Sequence, residues 1–340
     1  MVNLVGLDIK TMEEKLASYV KQKFRVKQIH EWIYHKQVSS FMEMSNLPLK
    51  LRQELTDNFV IGDIRVKDKQ ISADGTKKFL LKFPDGALTE AVLMKYEHGV
   101  SICLSTQVGC KMGCVFCSSG EDGFVRNLSK AEIIEQFWAI QRITKERIKN
   151  VVIMGMGEPL DNYDNVLDFI RFVNDEQTYN IGIRNITLST SGLAPQIYKL
   201  AEEELGITLA LSLHASNQGK RQKIMPISKS YPIKEVIDAC RYYCDKTKRR
   251  ITIEYALINN FNDSDKDAFE LANLLSGLLC HINLIPLNDS LSEHGFVKSS
   301  DERVKSFQKV LQKIGFKTTI RRELGSDIDA ACGQLKKRNI

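Results

Sequence analysis

From about residue 101 onwards, the chain alternates between short apolar runs and longer amphipathic segments. The apolar runs have the length and composition of buried strands, and the intervening segments have helical periodicity. Strands that alternate with helices form a parallel sheet, because parallel strands need crossover connections. Six such units are too few to close an eight-stranded barrel. The pattern therefore predicts an α/β fold, an open and partial (β/α)6 barrel.

The predicted strands and helices of this barrel follow one another in regular order. The strands are predicted at residues 102–108, 151–156, 186–189, 207–213, 251–257 and 282–285. The helices are predicted at residues 129–146, 163–174, 194–204, 232–246, 263–277 and 301–314. These assignments place residues 101–340 in one α/β core.

The first 100 residues have a different pattern and are predicted to form two smaller parts. Residues 1–60 carry Val26, Ile29 and Ile33 at helical spacing, which predicts a small helical accessory module. Residues 61–100 hold short strand-like runs with Asp-Gly and Pro-Asp-Gly turn signals between them. They are predicted to form a β-hairpin extension that leads into the core.

Three cysteines, Cys110, Cys114 and Cys117, follow the first predicted strand of the barrel. Three thiolates can hold three irons of a [4Fe-4S] cluster and leave the fourth iron without a protein ligand. An iron without a protein ligand can bind and reduce a small molecule. S-adenosylmethionine (SAM) is the expected ligand, because iron–sulfur centres and SAM together perform radical chemistry. The alternative is structural zinc, but zinc prefers four ligands and no second cysteine pair follows at a usable spacing.

Short segments with polar residues also end most of the other predicted strands. Because ligands gather at the carboxyl ends of parallel strands, these residues are expected to line one site with the thiols. They are Gly157 and Glu158 after the second strand, Ser189 after the third, Ser212, Leu213 and His214 after the fourth, and Asn288 after the sixth.

Charge permits nucleic-acid binding without requiring it, since 48 basic and 42 acidic residues leave a net charge of +6. Basic residues cluster at both ends of the chain, and each cluster is interpreted either as a phosphate contact or as a solvated surface. The clusters are Lys21, Lys23, Arg25 and Lys27 near the N-terminus, and Lys336, Lys337 and Arg338 near the C-terminus.

Cysteine usage and hydropathy predict where the protein resides. Eight cysteines are too few for a disulfide scaffold, and the N-terminus lacks a basic region followed by an apolar run. No apolar run approaches the length of a membrane span. These features predict a cytoplasmic protein without a membrane partner, with reduced thiols that bind metal or act in catalysis.

The chain also resembles the RlmN/Cfr family of radical-SAM RNA adenine methyltransferases. The resemblance runs from about Glu90 to the C-terminus, through the segments SxQVGCxxxCxFC, GFxRNL, GMGEPL, TLSTSG, SLHA, MPI, INLIP and DIDAACGQL. It implies a radical-SAM (β/α)6 barrel, and it implies that the N-terminal helical module is an accessory RNA-binding domain. A monomer is expected.

The resemblance assigns roles to the residues at the strand ends. It implies that Gly157 and Glu158 hold the methionine amino group of SAM. The carboxylate, ribose and adenine of SAM would contact Ser189, Ser212, Leu213, His214 and Asn288. The cluster ligands would be Cys110, Cys114 and Cys117, with SAM chelating the fourth iron.

Three further residues match the family's unusual mechanism, which uses two SAM molecules per turnover. The resemblance implies that the first SAM methylates the thiolate of Cys332, and that the second yields a 5′-deoxyadenosyl radical that removes hydrogen from this methyl group. The resulting carbon radical adds to adenine and creates a protein–RNA thioether. Glu90 would accept the ring proton, and Cys103 would release the product and form a disulfide with Cys332. An external electron donor and a thiol reductant are implied.

Two products remain open at this point. RlmN-type enzymes methylate C2 of an adenosine in 23S rRNA and of the adenosine 3′ to the anticodon in tRNA, whereas Cfr-type enzymes methylate C8 of the rRNA adenosine and confer antibiotic resistance. Pro159 and Pro286 match the RlmN pattern, while residues 288–299 and the short C-terminal tail depart from it. We favour C2.

Two rival functions also remain open. A radical-SAM enzyme with a small-molecule substrate would not need Cys103 or Cys332, and a non-catalytic RNA-binding protein would hold zinc. Cys240 and Cys244 are interpreted as ordinary buried thiols. Phe116 is expected to shield the cluster or to pack on adenine.

Overall fold

The structure is a computed structural model that describes residues 1–97, 99–287, 295–330 and 333–335. Two predicted site residues, Asn288 and Cys332, lie outside the described residues, as does the basic tail at 336–338. Most of the 288–299 loop, up to residue 294, also lies outside them.

The N-terminal part is helical, as predicted, and its two ends are held together by a small parallel sheet. Val26, Ile29 and Ile33 are buried on one face of its second helix. The elements are β1 (Val2–Asn3), α1 (Ile9–Leu16), α2 (Lys23–Tyr34), α3 (Leu49–Asn58) and β2 (Phe59–Val60).

The next strands form the antiparallel part of a ten-stranded sheet. Asp-Gly and Pro-Asp-Gly turns connect the first three of them, as the sequence predicts. These strands are β3 (Arg65–Ile71), β4 (Lys77–Lys82), β5 (Leu88–Tyr96) and β6 (Gly99–Cys103). The predicted hairpin extension is thus continuous with the central sheet. A separate two-stranded sheet, β7 (Gln107–Val108) with β8 (Arg126–Asn127), brackets the cysteine loop.

The parallel part of the sheet begins at β6 and continues through six more strands, in spatial order from β6 outwards. The strands are β9 (Ile148–Ile153), β10 (Ile186–Thr190), β11 (Thr208–Ser212), β12 (Ile251–Leu257), β13 (Cys280–Pro286) and β14 (Thr318–Ile320). The helices are α4 (Lys130–Thr144), α5 (Tyr163–Asn174), α6 (Ala194–Glu202), α7 (Gln218–Ile224), α8 (Ile233–Thr247), α9 (Asp265–Leu274) and α10 (Asp301–Ile314).

This architecture confirms the predicted α/β barrel, with three differences. The first strand ends at Cys103 and not at residue 108, because the backbone N–H groups of Thr106 and Gln107 both donate to the Met156 carbonyl and turn the chain out of the sheet. Helix α7 was missed because its segment is short and largely polar. Strand β14 was missed because three residues carry no readable alternation.

One apolar core joins the N-terminal helices to the barrel. Trp138 on α4 packs into this core, and its indole N–H donates to the Ile33 carbonyl at 3.1 Å. Nearby on α4, the buried Glu135 carboxylate accepts the backbone N–H of Ile64 at 3.0 Å, and burial raises its pKa to about 7. The division at residues 60 and 100 stays a prediction. Across the described residues, every helix is too short or too polar to span a bilayer.

Candidate active site

An open cavity lies at the carboxyl ends of the parallel strands. Most of the predicted site residues line it together. They are Cys110, Cys114, Cys117, Gly157, Glu158, Ser189, Ser212 and His214. Leu213 does not line it, because neighbouring strand residues point to opposite faces and its side chain is fully buried in the core. Asn288 lies outside the described residues.

The loop that carries the three thiols is closed by a tight backbone approach. Gly109 has a φ of +76°, and a Cβ atom at this position would lie 1.8 Å from the Gly123 carbonyl oxygen. Only glycine fits there, since both the conformation and the space exclude a side chain. On the far side of the loop, the Val115 N–H donates to the Ile224 carbonyl at 3.0 Å, which ties the thiols to α7.

The electrostatics of the thiols fit a site for a cationic metal group. Burial, and then the negative charge of Cys117, raise the pKa of Cys110 to about 12. Burial followed by Cys117 raises the pKa of Cys114 well above its usual range. Thiolate ligation by iron would reverse this balance, because a bound cation stabilises the deprotonated form.

The spacing of the thiols is compatible with a cube. In the described part of the chain, no three His, Cys, Asp or Glu side chains converge closely enough to hold a single metal ion. In a [4Fe-4S] cluster each thiolate binds a different iron, so the three sulfurs need not meet at one point. The residues present therefore fit the cluster, and they would be its ligands.

The second strand end places a carboxylate in the cavity wall. Glu158 accepts the Ser191 N–H at 2.7 Å and the Leu160 N–H at 3.0 Å, so both of its oxygens are oriented. Burial nevertheless raises its pKa. An ammonium group in the cavity would offset this desolvation. Gly157 approaches so closely that a Cβ atom there would lie 2.5 Å from Gln107.

The fourth strand end places a neutral imidazole in the cavity wall. His214 accepts the Ala256 N–H on Nδ1 at 3.0 Å, which leaves Nε2 as the protonated nitrogen and a hydrogen-bond donor. Burial lowers its pKa to about 3. Phe116 packs edge-on against this ring with centroids 4.7 Å apart, so the aromatic ring between the thiols contacts the wall of the predicted SAM site.

Sequence reasoning missed a buried arginine below the cavity. Arg221 is 0% exposed and donates from Nη2 to the Ser191 carbonyl at 2.5 Å and from Nε to the Leu213 carbonyl at 3.2 Å. It thereby joins the ends of β10 and β11. Burial lowers its pKa to about 10. Its segment, QGKRQKI, looks like an ordinary solvated helix, so no sequence signal singles it out.

A missed carboxylate also lines the cavity. Glu254 on β12 accepts the Asn283 amide N–H at 2.9 Å and lies 3.9 Å from Arg321. Burial raises its pKa. The signal was present in this case, because a single acidic residue interrupts an apolar strand, ITIEYAL, in a parallel sheet.

Glu90 and Cys103 do not line the cavity, and they lie on the neighbouring strands β5 and β6. Cys103 on β6 pairs with Val92 on β5, and it belongs to a small apolar cluster that includes Leu324 and Ala330 from the C-terminal segment. Glu90 on β5 is 2% exposed and lies 3.5 Å from the Lys78 ammonium. A strand glutamate is ordinarily solvated, so this burial is the condition that a proton acceptor requires.

The C-terminal segment is anchored on both sides of Cys332, which itself lies outside the described residues. After it, the Gly333 carbonyl accepts the Ser118 N–H at 2.7 Å, directly beyond the cluster thiols. Before it, the Asp329 carbonyl accepts from Lys78 on β4 at 3.2 Å. The described neighbours of Cys332 therefore lie between the thiol loop and the strands that carry Glu90 and Cys103.

Comparisons with known proteins agree with this geometry. Residues 104–272 match the model of the radical SAM superfamily, and residues 2–61 match the ribosomal RNA large subunit methyltransferase N-terminal domain. Proteins named "Probable dual-specificity RNA methyltransferase RlmN" from Alkaliphilus oremlandii and Clostridium tetani are each 52% identical over all of this chain and 98% and 97% of their own lengths. A crystal structure of a radical SAM methyltransferase from Sphaerobacter thermophilus, 41% identical, superimposes with a TM-score of 0.92 and covers 98% of this chain and 99% of that one.

Proposed function

Because the chain belongs to the RlmN family of radical-SAM RNA methyltransferases, we propose that it methylates C2 of a specific adenosine in 23S rRNA and of the adenosine 3′ to the anticodon in tRNA. The relatives' name, dual-specificity RNA methyltransferase, supports the use of two RNA classes. Pro159 and Pro286, which match the RlmN pattern, favour C2 over the Cfr-type C8 product.

One observation carries the proposed mechanism: the anchoring of the C-terminal segment between two sets of groups. Gly333 contacts the loop of the cluster thiols, and Ala330 packs in the same apolar cluster as Cys103. A radical-SAM enzyme with a small-molecule substrate has no need of this arrangement. It supports a role for Cys332 in the reaction.

The residues around the cavity would hold the cofactors. Cys110, Cys114 and Cys117 would ligate the [4Fe-4S] cluster, which when bound supplies the electron that cleaves SAM reductively. Glu158 would bind the SAM ammonium, since its carboxylate is oriented by backbone N–H groups and a cation would offset the cost of its burial. Ser189, Ser212 and the Nε2–H of His214 would position the remaining polar groups, and Asn288 would join them. Two SAM molecules would be used per turnover.

The protein's own groups then divide the work on the RNA base. The Cys332 thiolate would take a methyl group from the first SAM by direct displacement, because thiolate is a strong nucleophile. Glu90, which is buried and oriented by Lys78, would accept the proton from the adenine ring carbon. Cys103 would then attack the Cys332 sulfur, which forms a Cys103–Cys332 disulfide and breaks the bond between this sulfur and the carbon now attached to the ring. The released carbon takes up a proton and becomes the methyl group of the product. An external electron donor and a thiol reductant would restore the starting state.

RNA is the partner that the exposed basic groups suit. Lys21, Lys23 and Lys27 are exposed around the start of α2, and Arg25 beside them is half-buried. Lys23 lies 3.7 Å from Glu13, and this exposed ion pair is weak enough to exchange for phosphate. The target adenine must leave its stack before its ring carbon can meet the reacting thiol, so an unpaired or flipped base fits best. A monomer acting in the cytoplasm completes the proposal.

The deciding experiment is mass spectrometry of nucleosides from RNA treated with the reconstituted enzyme, SAM and a reductant. Transcribed 23S rRNA and tRNA are expected to yield 2-methyladenosine, and the Cys332→Ser variant is expected to yield none. A product methylated at C8 would assign the Cfr-type reaction. If neither ring carbon is methylated, the proposed function is wrong.

The cofactor is tested separately from turnover. Anaerobically reconstituted protein is expected to be brown and to contain iron and sulfide, and the Cys114→Ala variant is expected to lose the absorbance. Cys240→Ala serves as the matched control, because this thiol is buried in the core away from the cavity. A colourless protein that binds zinc would contradict the cluster.

A further inference from the structure

Lys78 is buried in an unusual position for a lysine. Its side chain is 3% exposed on β4, in the segment KKFLLK. Lys78 pairs with Val92 on β5, and Val92 pairs with Cys103 on β6, so the three residues form one row across the sheet. Cross-strand partners share a face of the sheet. A buried ammonium is costly unless it is paired, so its partners indicate its purpose.

The partners of Lys78 belong to two different parts of the molecule. Its ammonium lies 3.5 Å from the carboxylate of Glu90, which is two residues before Val92 and therefore on the same face. It also donates to the Asp329 carbonyl at 3.2 Å, three residues before Cys332 in the chain. One side chain thus connects the buried carboxylate to the segment of the reactive thiol.

We infer that Lys78 is a positioning residue that keeps the Glu90 carboxylate ionised and tethers the chain before Cys332 beside it. A carboxyl group that is 2% exposed favours its neutral form, and a neutral carboxyl cannot accept a proton. An adjacent ammonium favours the charged form. The inference rests on the proposed function, since it requires that Glu90 accept the ring proton.

Lys78 supplies a positive charge directly beside the Glu90 carboxylate. Other titratable side chains on the surrounding elements are Cys103 on β6 and Asp329 in the C-terminal segment. The Asp329 side chain is exposed, and its contact with Lys78 is through the backbone carbonyl. Lys78 touches no reacting atom in this scheme, so it acts through Glu90 and through the segment that it holds.

The test compares Lys78→Gln with Lys77→Gln in the full-length, reconstituted enzyme. Lys77 is the matched control, because it precedes Lys78 on the same strand, points to the other face and pairs with Glu146 at 3.5 Å. Transcribed 23S rRNA and tRNA serve as probes at pH 7 and pH 9. Three readouts are normalised to wild type at each pH: methylation of the Cys332 peptide, the covalent protein–RNA adduct, and 2-methyladenosine.

For Lys78→Gln we expect methylated Cys332 to form normally while the adduct accumulates at pH 7 and the product falls by at least about tenfold. At pH 9 the adduct should resolve, because the Glu90 carboxyl ionises again without its ammonium partner. Glu90→Gln should accumulate the adduct at both pH values. Lys77→Gln should resemble wild type throughout.

The variants distinguish the charge of Lys78 from its hydrogen bond to the Asp329 carbonyl, and the hydrogen bond can be the more important of the two. In that case Lys78→Gln loses methylation of Cys332, and Lys78→Arg, which keeps both the charge and the donors, restores methylation and turnover. Two results would overturn the inference. In the first, Lys78→Gln forms 2-methyladenosine within about twofold of wild type at pH 7 and accumulates no adduct. In the second, Lys78→Arg forms no more 2-methyladenosine than Lys78→Gln. If wild type makes no methyladenosine, or Glu90→Gln turns over normally, the proposed function fails instead.

Discussion

At the scale of single residues, burial of charged and titratable groups distinguishes the positions that matter. Arg221, Glu254 and Glu158 are all buried around the cavity, and each is held by hydrogen bonds to groups at the strand ends. Burying a charged group costs free energy of desolvation. Such groups are therefore found where they orient a ligand or stabilise a bend in the backbone. Arg221 shows the second use, because it donates to carbonyls at the strand ends.

We predict that Arg221→Lys destabilises the protein without removing the charge. Lysine cannot reach the Ser191 and Leu213 carbonyls and the Ser228 hydroxyl at once, so buried acceptors lose their donors. The expected loss is about 2–3 kcal/mol in the free energy of unfolding, measured by urea denaturation of the protein without cofactors. The exposed Arg184→Lys is the control and should change stability little. Equal stability of the two variants would contradict this role.

We also predict that His30 makes stability depend on pH. His30 is 3% exposed on α2, and burial lowers its pKa from 6.5 to about 4. The unfolded chain therefore binds the proton more readily between these values, so this contribution is complete above pH 6.5 and is lost as pH falls towards 4.

Replacing His30 with leucine removes this titration. Relative to wild type, His30→Leu should gain up to about 3 kcal/mol between pH 7 and pH 4. Urea denaturation at both pH values measures the difference. Exposed His35, next to the same helix, supplies the control variant His35→Leu. A stability difference that does not change with pH would show that His30 is not the responsible group.

At the scale of elements, the loop after β6 and the C-terminal segment form the site by packing on one another. The loop leaves the sheet at Thr106, passes through β7 and returns at β8, which places three thiols above the strand ends. The C-terminal segment then closes on it, with the Ser119 hydroxyl donating to the Leu335 carbonyl at 2.7 Å. Neither element could form this contact alone, because its partners are about 200 residues apart in the chain.

We predict that Gly109→Ala disrupts this loop and that Gly123→Ala does not. Both glycines have a positive φ, so alanine strains the backbone at each position. Only at position 109 does the added methyl meet backbone, at 1.8 Å from the Gly123 oxygen, whereas nothing lies within 4 Å at position 123. Iron content after reconstitution should fall several-fold in Gly109→Ala alone. Equal iron content in the two variants would mean that the close approach is dispensable.

At the scale of the whole molecule, the N-terminal helices and the barrel share one core while their basic surfaces stay exposed. Trp138 and Glu135 on α4 form hydrogen bonds with the backbone of Ile33 and Ile64. These bonds connect the helical module to the barrel. The module is thus fixed to the barrel, as its proposed role in RNA binding requires.

We predict that changing Lys21, Lys23, Arg25 and Lys27 to Ala weakens RNA binding and flattens its salt dependence. For each phosphate that no longer binds a basic side chain, the slope of log K against log salt should fall by about 0.7–0.9. The control replaces Lys234 and Lys246, whose charges are already paired with Asp238 and Glu202. Filter binding of tRNA across a salt series provides the measurement. An unchanged slope would assign the basic cluster to solvation alone.

Local patterns were sufficient to predict most of the fold and much of the site. The bounds of β12, α5 and α10 agree with their apolar periodicity, and the strand-end residues from Cys110 to His214 meet at one rim. Periodicity is a property of neighbouring residues, and the geometry of parallel sheets then brings the strand ends together. The family resemblance added Glu90, Cys103 and Cys332, which no periodicity distinguishes.

Only the tertiary structure decided which charged side chains are buried and what they face. Lys78 and Arg221 carry the same charge as dozens of solvated residues, and the sequence alone does not separate them. Their surroundings come from strands and segments far away in the chain, as in the contact between Lys78 and Asp329. The order of elements is therefore local information, whereas the dielectric and the partners of a charge are set by packing across long sequence distances.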